Sequence, residues 1–421
     1  MARTIQASNV DQPGATVRST VSASGTLAVT EPLFRIAWCS KENPDDTGIL
    51  IAGGLPTTSM TKGLTFLDLG PAPVYATSSW QTLSQYFERP KRQHILQTPP
   101  TAEVVDFCLI PRKSPHYSGS HDPIALIALL ASGELVTLSF PSGHPITPTN
   151  QLHVSLTYVH PFVNRISLAH IERSRWLGML ESRQRGPLIL RGGAEAKYTI
   201  KRFAHRNIVQ AGHADGTIRI WDAGHDDEIE NQDMLQVDVA RAVGRARDVD
   251  ITAMSMSGAT GELAVGLRTG EVALFRWARN QNAGKETSHA AGRSFGLESI
   301  IDRAEPTVRE GLLPLTLLDQ QRGPVTALKM SDVGFAATGF EDGSITVVDL
   351  RGPAVIHDAS MNSSSGQSKH GSFRKSNSQS HSRQEWPTCI EFGVMSLEGE
   401  GKDTFVTNIS NHLLFKWTTS I

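Results

Sequence analysis

Ile208-Val-Gln-Ala-Gly-His-Ala-Asp-Gly-Thr-Ile-Arg-Ile-Trp-Asp222 reads as two short strands joined by a tight turn. Asp215-Gly216 supplies the turn, because glycine tolerates the positive φ that short hairpin connections demand. Beyond it, Ile218 and Ile220 alternate with Thr217 and Arg219, the period of a half-buried strand. The unit recurs over residues 262–277, turning at Thr269-Gly270, and over 333–349, turning at Asp342-Gly343. Weaker copies occupy 124–140, with Ser132-Gly133 at the turn, and 404–417, with Ser410-Asn411. Another spans 49–69, ending in Phe66-Leu-Asp68 after a longer connection from Pro56 to Lys62. Strand-like runs at 104–110, 251–256, 325–330 and 389–392 would each open a four-stranded unit.

Repeated four-stranded antiparallel units are the mark of a β-propeller. The expected fold class is therefore all-β, built of WD40-type blades. The competing reading is a sandwich with coincidental Asp-Gly turns. Gly216, Gly270 and Gly343 lie 54 and 73 residues apart, whereas a WD-type blade takes about 40–45. The excess is assigned to two insertions: 278–322, mixed and partly helical in pattern, and 359–384. The latter holds ten Ser, four Lys or Arg and no acid, and such a stretch cannot bury enough apolar area to order itself.

Composition narrows the function. The 421 residues carry 40 Lys+Arg against 42 Asp+Glu, a net charge of −2. A general nucleic-acid binder needs a basic excess, so none is expected. The longest apolar run covers 124–131, far short of the ~20 residues of a membrane span. Met1 to Gln12 has no apolar segment of the kind a signal peptide carries. Cys39, Cys108 and Cys389 lie far apart in apolar, strand-like surroundings, as buried thiols of a reducing compartment would.

No catalytic motif is present. The phosphate loop, H-E-x-x-H, C-x-x-C and G-x-S-x-G are all missing. No catalytic residue, cofactor or metal is therefore expected. His213 and Asp215 read either as a metal or acid–base pair or, preferably, as hydrogen bonding that ties a blade together. Trp221 and Trp277 end strands at what reads as the same repeat position, and favour packing between blades over a ligand platform. His213, Asp215, Gly216, Trp221, Asp222, Gly270, Trp277, Asp342, Gly343 and Asp349 thus form a candidate structural blade motif. The acidic stretch at 226–233 reads as a solvated face, a contact for a basic partner or a strut between propellers.

Residues 212–222, followed by that acidic run, resemble the start of the second propeller in the lethal giant larvae family, which includes the yeast exocytosis regulators and the tomosyns. Pro32-Leu-Phe-Arg-Ile-Ala-Trp-Cys39, leading into residues 49–54, and Gly339-Phe-Glu-Asp-Gly-Ser-Ile-Thr-Val-Val-Asp-Leu-Arg-Gly-Pro-Ala-Val-Ile356 match as well. The overall character is similar to the fungal members. The resemblance implies parts of two consecutive propellers with loop insertions: a flexible segment over 1–30, late blades of a first propeller over 31–205, and early blades of a second over 206–421. It implies a fragment, since the family's two propellers need roughly twice this length. The implied partners are t-SNAREs of syntaxin and SNAP-25 type, a secretory Rab GTPase and type II myosin. The implied role is a non-enzymatic scaffold in exocytosis and cell polarity, cytoplasmic and peripheral to the plasma membrane. A generic WD adaptor without SNARE binding is the alternative. Ser372, Arg374, Lys375, Ser376 and Ser378 sit where metazoan relatives carry a basic, phosphorylated, lipid-binding loop. Phosphate there would cancel attraction to anionic membrane.

Overall fold

The computed structural model describes residues 29–43, 45–100, 102–112, 122–146, 162–181, 205–224, 234–245, 249–285, 296–361, 385–395, 404–409 and 413–418. Its strands pair antiparallel into six sheets, almost wholly in chain order. The first sheet holds β1 (Leu33–Ser40), β2 (Asp46–Gly53), β3 (Lys62–Pro71) and β4 (Arg92–Thr98), with helix α1 (Trp80–Glu88) between the last two. The second holds β5 (Val104–Pro111), β6 (Pro123–Leu130) and β7 (Leu135–Ser139). The third runs β8 (Val163–Glu172), β9 (His205–His213), β10 (Thr217–Asp222) and β11 (Leu235–Asp238), with α2 (Arg173–Glu181) after β8 and α3 (Val239–Ala242) after β11. The fourth runs β12 (Ile251–Met256), β13 (Leu263–Leu267), β14 (Glu271–Arg279), then β16 (Glu310–Asp319), with β15 (Gly296–Ser299) at its edge. The fifth runs β17 (Val325–Met330), β18 (Phe335–Phe340), β19 (Ser344–Asp349) and β20 (Ala354–Ser360). The sixth holds β21 (Ile390–Met395), β22 (Thr404–Ile409) and β23 (Leu413–Thr418).

In the second to fifth sheets the hairpin between the second and third strands follows one plan. Gly133, Gly216, Gly270 and Gly343 all take positive φ, from +78° to +93°. Each donates its N–H to the carbonyl three residues back: Leu130, His213, Leu267 and Phe340, at 2.9–3.0 Å. A side chain with a Cβ is strained there, which is why glycine recurs.

The chain divides into two compact units, one of residues 1–173, 189–211 and 220–234, the other of 174–188, 212–219 and 235–421. In the first, β5 lies against β1 on one side and β8 on the other. Cys39, Leu50, Phe66, Phe107, Leu126 and Leu138 form one buried core there, and Cys108, Ile127, Val163, Val209 and Trp221 a second. In the second unit, β17 lies between β12 and β21 in the same way. Its core joins Ala264, Leu274, Leu318, Val325, Phe340 and Val348. First strand against first strand is how propeller blades stack, and the fold is accordingly all-β, of WD-type blades with loop insertions.

A repeated latch holds these blades. Thr252 of β12 donates its hydroxyl to the Val325 carbonyl at 2.8 Å, and Thr326 of β17 donates to the Pro387 carbonyl at 2.7 Å. Beside each latch the second strand carries a glycine the next blade abuts. A methyl on Gly266 would sit 2.5 Å from Val325 Cγ1, and one on Gly339 2.3 Å from Pro387 Cγ.

Several expectations need correction. Among the described residues of 278–322, 278–279, 296–299 and 310–319 are strand and 301–303 form a short helical turn, so strand outweighs helix. The apolar run at 311–318 pairs with β14, and the register shift beside Phe275 and Pro314 lets a proline stand in that ladder. Counted from the turn glycine, Trp221 is equivalent to Phe275 and Val348, not to Trp277. Those three are buried, while Trp277 is only half-buried, near the end of the long β14. Cys39 and Cys108 are buried, but Cys389 is exposed. Ala359 and Ser360 belong to β20, pairing with Ile345 and Ser344. Val29 and Thr30, at the end of the expected lead-in, are tied to the 56–57 turn, Thr30 by a bridge to Pro56 and Val29 by its carbonyl accepting the Thr57 N–H.

Candidate interaction surface

The turns present a repeated polar device. A carboxylate and a hydroxyl flank each turn glycine and bond to one another. Asp215 accepts from the Thr217 hydroxyl at 2.6 Å and its N–H at 3.0 Å. Asp342 accepts from the Ser344 hydroxyl, and from its N–H at 2.8 Å. In the other two turns the roles swap sides: Ser132 donates to Glu134 at 3.0 Å, and Thr269 to Glu271. Burial opposes ionisation of Asp215, but the Thr217 hydrogen bonds and the nearby His213 and Arg219 outweigh it and hold the carboxyl below its ordinary range. His213 itself is buried at the end of β9. These residues close hairpins.

A second device ends the third strand. Asp68, Asp222 and Asp349 each accept the N–H two residues on, from Gly70, Gly224 and Arg351, at 2.8–3.0 Å. Each also pairs with a base: Asp68 with Lys41, Asp222 with Arg206 and Asp349 with Arg351. Arg206–Asp222 is fully buried. Arg351 holds Asp349 below the usual carboxylate range through its hydrogen bond. In the fourth sheet, where β14 runs on without turning, Arg276 takes this position and pairs with Glu262 at 2.6 Å.

Among the described residues, no group of three His, Cys, Asp or Glu is placed to hold a metal ion. A polar cleft of about 330 Å³ opens at the β13–β14 turn, lined by Arg245, Thr269, Glu271, Asp319, Gln321 and Gly323. Its carboxylates are engaged, Glu271 by Arg245 and Thr269, and Asp319 by the Gln321 N–H. A smaller cavity of about 60 Å³ lies between β11 and β16, flanked by Arg241 and Arg303. Burial pushes the thiols of Cys39 and Cys108 up to about 12, so both stay neutral and unreactive near neutral pH.

The apolar side chains left on the surface concentrate in the first sheet. On β1, Phe34, Ile36 and Trp38 face outward, while Arg35 reaches Asp106 at 2.6 Å and Cys39 enters the core. Trp38 meets Phe87 of α1 edge-on, ring centroids 5.8 Å apart. No residue of α1 is buried. Sequence reading missed this helix, although Ser79 before an apolar i, i+3, i+7 pattern at Trp80, Leu83 and Phe87 is a visible start signal. It missed the latch as well, although Ile251-Thr-Ala-Met-Ser-Met256 and Val325-Thr-Ala-Leu-Lys-Met330 repeat it openly. Ser372, Arg374, Lys375, Ser376 and Ser378, and the acidic 226–233 run, lie outside the described residues.

Comparison with known proteins places this architecture. A family model described as lethal giant larvae (Lgl) like, C-terminal, matches residues 248–412. The Lethal(2) giant larvae protein homolog SRO77 of Saccharomyces cerevisiae is 31% identical over 344 residues, which is 79% of this chain and 34% of that protein. The uncharacterized protein C1F3.03 of Schizosaccharomyces pombe is 26% identical over 383 residues, 89% of this chain and 36% of its own length. The chain thus spans about a third of the curated relatives it matches. Among solved structures, Saccharomyces cerevisiae Sqt1 superposes with a TM-score of 0.44 at 10% identity, over 92% of this chain and 72% of Sqt1. BBS1N, from its complex with ARL6DN, superposes with 0.39 at 11%, over 90% and 76%. Scores this low carry no weight for fold or function. The similarity along the sequence does, and on it the chain belongs to the lethal giant larvae family.

Proposed function

We propose that this chain is a non-enzymatic WD-repeat scaffold that regulates SNARE-dependent exocytosis and cell polarity. In this reading it binds t-SNAREs of syntaxin and SNAP-25 type and a secretory Rab GTPase, with type II myosin as a further partner. It works in the cytoplasm, peripheral to the plasma membrane at sites of polarised secretion. The observation that carries the reading is the 31% identity to SRO77 over four-fifths of the chain. The engaged carboxylates and neutral buried thiols support a binding role over a catalytic one. A pull-down of the purified, monodisperse chain with the two t-SNAREs of its own organism tests it. Saturable retention of either supports the regulator. Retention of neither by a folded chain favours the alternative of a WD adaptor for other cargo. The Ser/basic loop belongs to the same proposal. Phosphate on Ser372, Ser376 or Ser378 would offset Arg374 and Lys375 and release the chain from anionic lipid. Finding no phosphate at these serines under any growth condition would count against the switch.

A further inference from the structure

We propose that α1 and the turn leading into it form a contact site for an anionic membrane surface. The inference adds a second contact to the membrane-peripheral reading above, apart from its Ser/basic loop, and does not rest on the SNARE partners. The helix is built to hold an apolar edge away from the blade. Ser79 caps its first turn by accepting the Thr82 N–H at 3.2 Å. On the inner side, the Tyr86 hydroxyl reaches the Thr47 hydroxyl at 2.6 Å and the Gly70 carbonyl at 3.1 Å. Trp80 and Phe87 are seven residues apart, so they share one flank of the helix about 10 Å from each other. Trp80 is 83% exposed and Phe87 43%, with Val74 at 67% and Tyr75 at 51% in the preceding turn. A core helix would bury such residues, and this one buries none.

Charge supplies the identity of the occupant. Arg89, Lys91 and Arg92 follow the helix directly and are exposed, with no carboxylate partner among the described residues. Residues 72–92 hold those three cations and a single acid, Glu88, a net of +2. From the blade side Asp46 and Asp68 act on Tyr86, Asp68 in a pair with Lys41. Glu88 is engaged by the Ser84 hydroxyl at 3.1 Å. Exposed Trp, Tyr and Phe rings with cations beside them match a bilayer interface, where apolar tips enter the acyl boundary and basic groups meet acidic headgroups.

Co-sedimentation of the full 421-residue chain with vesicles tests the site. Phosphatidylcholine vesicles containing about 30% phosphatidylserine are compared with phosphatidylcholine alone. The chain is expected to pellet with the acidic vesicles and to release as salt rises. Trp80→Ala with Phe87→Ala should lower pelleting at least about five-fold, any remainder coming from the Ser/basic loop. Phe87 also meets the Trp38 and Tyr86 rings. Trp80→Ala alone, whose side chain projects into solvent, should weaken pelleting while leaving thermal unfolding unchanged. Each of Arg89→Glu, Lys91→Glu and Arg92→Glu should weaken it at least about five-fold. Equal pelleting with neutral vesicles, no pelleting at all, or full pelleting by the Trp80/Phe87 variant would overturn the proposal. So would a Trp80/Phe87 variant that loses t-SNARE retention but keeps the vesicles, because α1 would then be a protein-docking face. Retained t-SNARE binding with lost vesicle binding separates the two functions and supports it.

Discussion

At the scale of single residues, the blades rest on small polar devices that differ in burial, and burial decides their worth. Arg206 and Asp222 are both inside, so Arg206→Ala strands a buried carboxylate. It should cost about 3–5 kcal/mol in a urea titration. Arg351→Ala removes a solvated partner of Asp349 and should lower the midpoint only slightly. Asp342→Ala deletes both bonds to Ser344 and should cost about 1 kcal/mol. The pH dependence follows from the directions of the shifts. Asp215 and Asp349 hold their protons more weakly folded than unfolded. Their contribution is present at neutral pH and is lost as pH falls through the ordinary carboxylate range and below it. In Asp215→Asn and Asp349→Asn the acid decline should be shallower. At the other end, Cys39 and Cys108 keep their protons to about pH 12 when folded but release them near 9 when unfolded. Stability therefore falls as pH rises between those values. A thiol reagent should titrate Cys389 alone in the native chain and all three cysteines in denaturant.

At the scale of elements, the latch and its neighbouring glycine join one blade to the next. Gly266→Ala drives a methyl into Val325 and should cost about 1–3 kcal/mol. Val325→Ala in the same chain should recover part of that loss, which a double-mutant cycle measures directly. These elements were unevenly legible. Asp215-Gly216 and Asp342-Gly343 could be read at once, because only glycine is at ease with their backbone. β16 could not, because a continuous apolar run suits a buried strand or a buried helix, and Pro314 hides the ladder. Trp277 misled for a related reason. β14 runs three residues past the usual end of a third strand, to Arg279, so its tryptophan only mimics Trp221. The α1 and latch signals were present in the sequence. Neither carries the turn glycine by which the blades are recognised.

At the scale of the whole molecule, fold and family follow from two independent kinds of observation. The blades come from strand order, first-strand stacking and repeated turns. The family comes from similarity to SRO77 over most of the chain. The scaffold reading joins the two. Blades of this kind offer surfaces made of loops on a rigid frame, suited to holding partners. Its central claim is that the frame holds a t-SNARE. Sedimentation velocity on the folded chain mixed with its SNAP-25-type t-SNARE tests that claim most directly. The account predicts a faster-moving complex that saturates at one t-SNARE per chain. Two boundaries that stay separate at every ratio, with syntaxin as well, would contradict it.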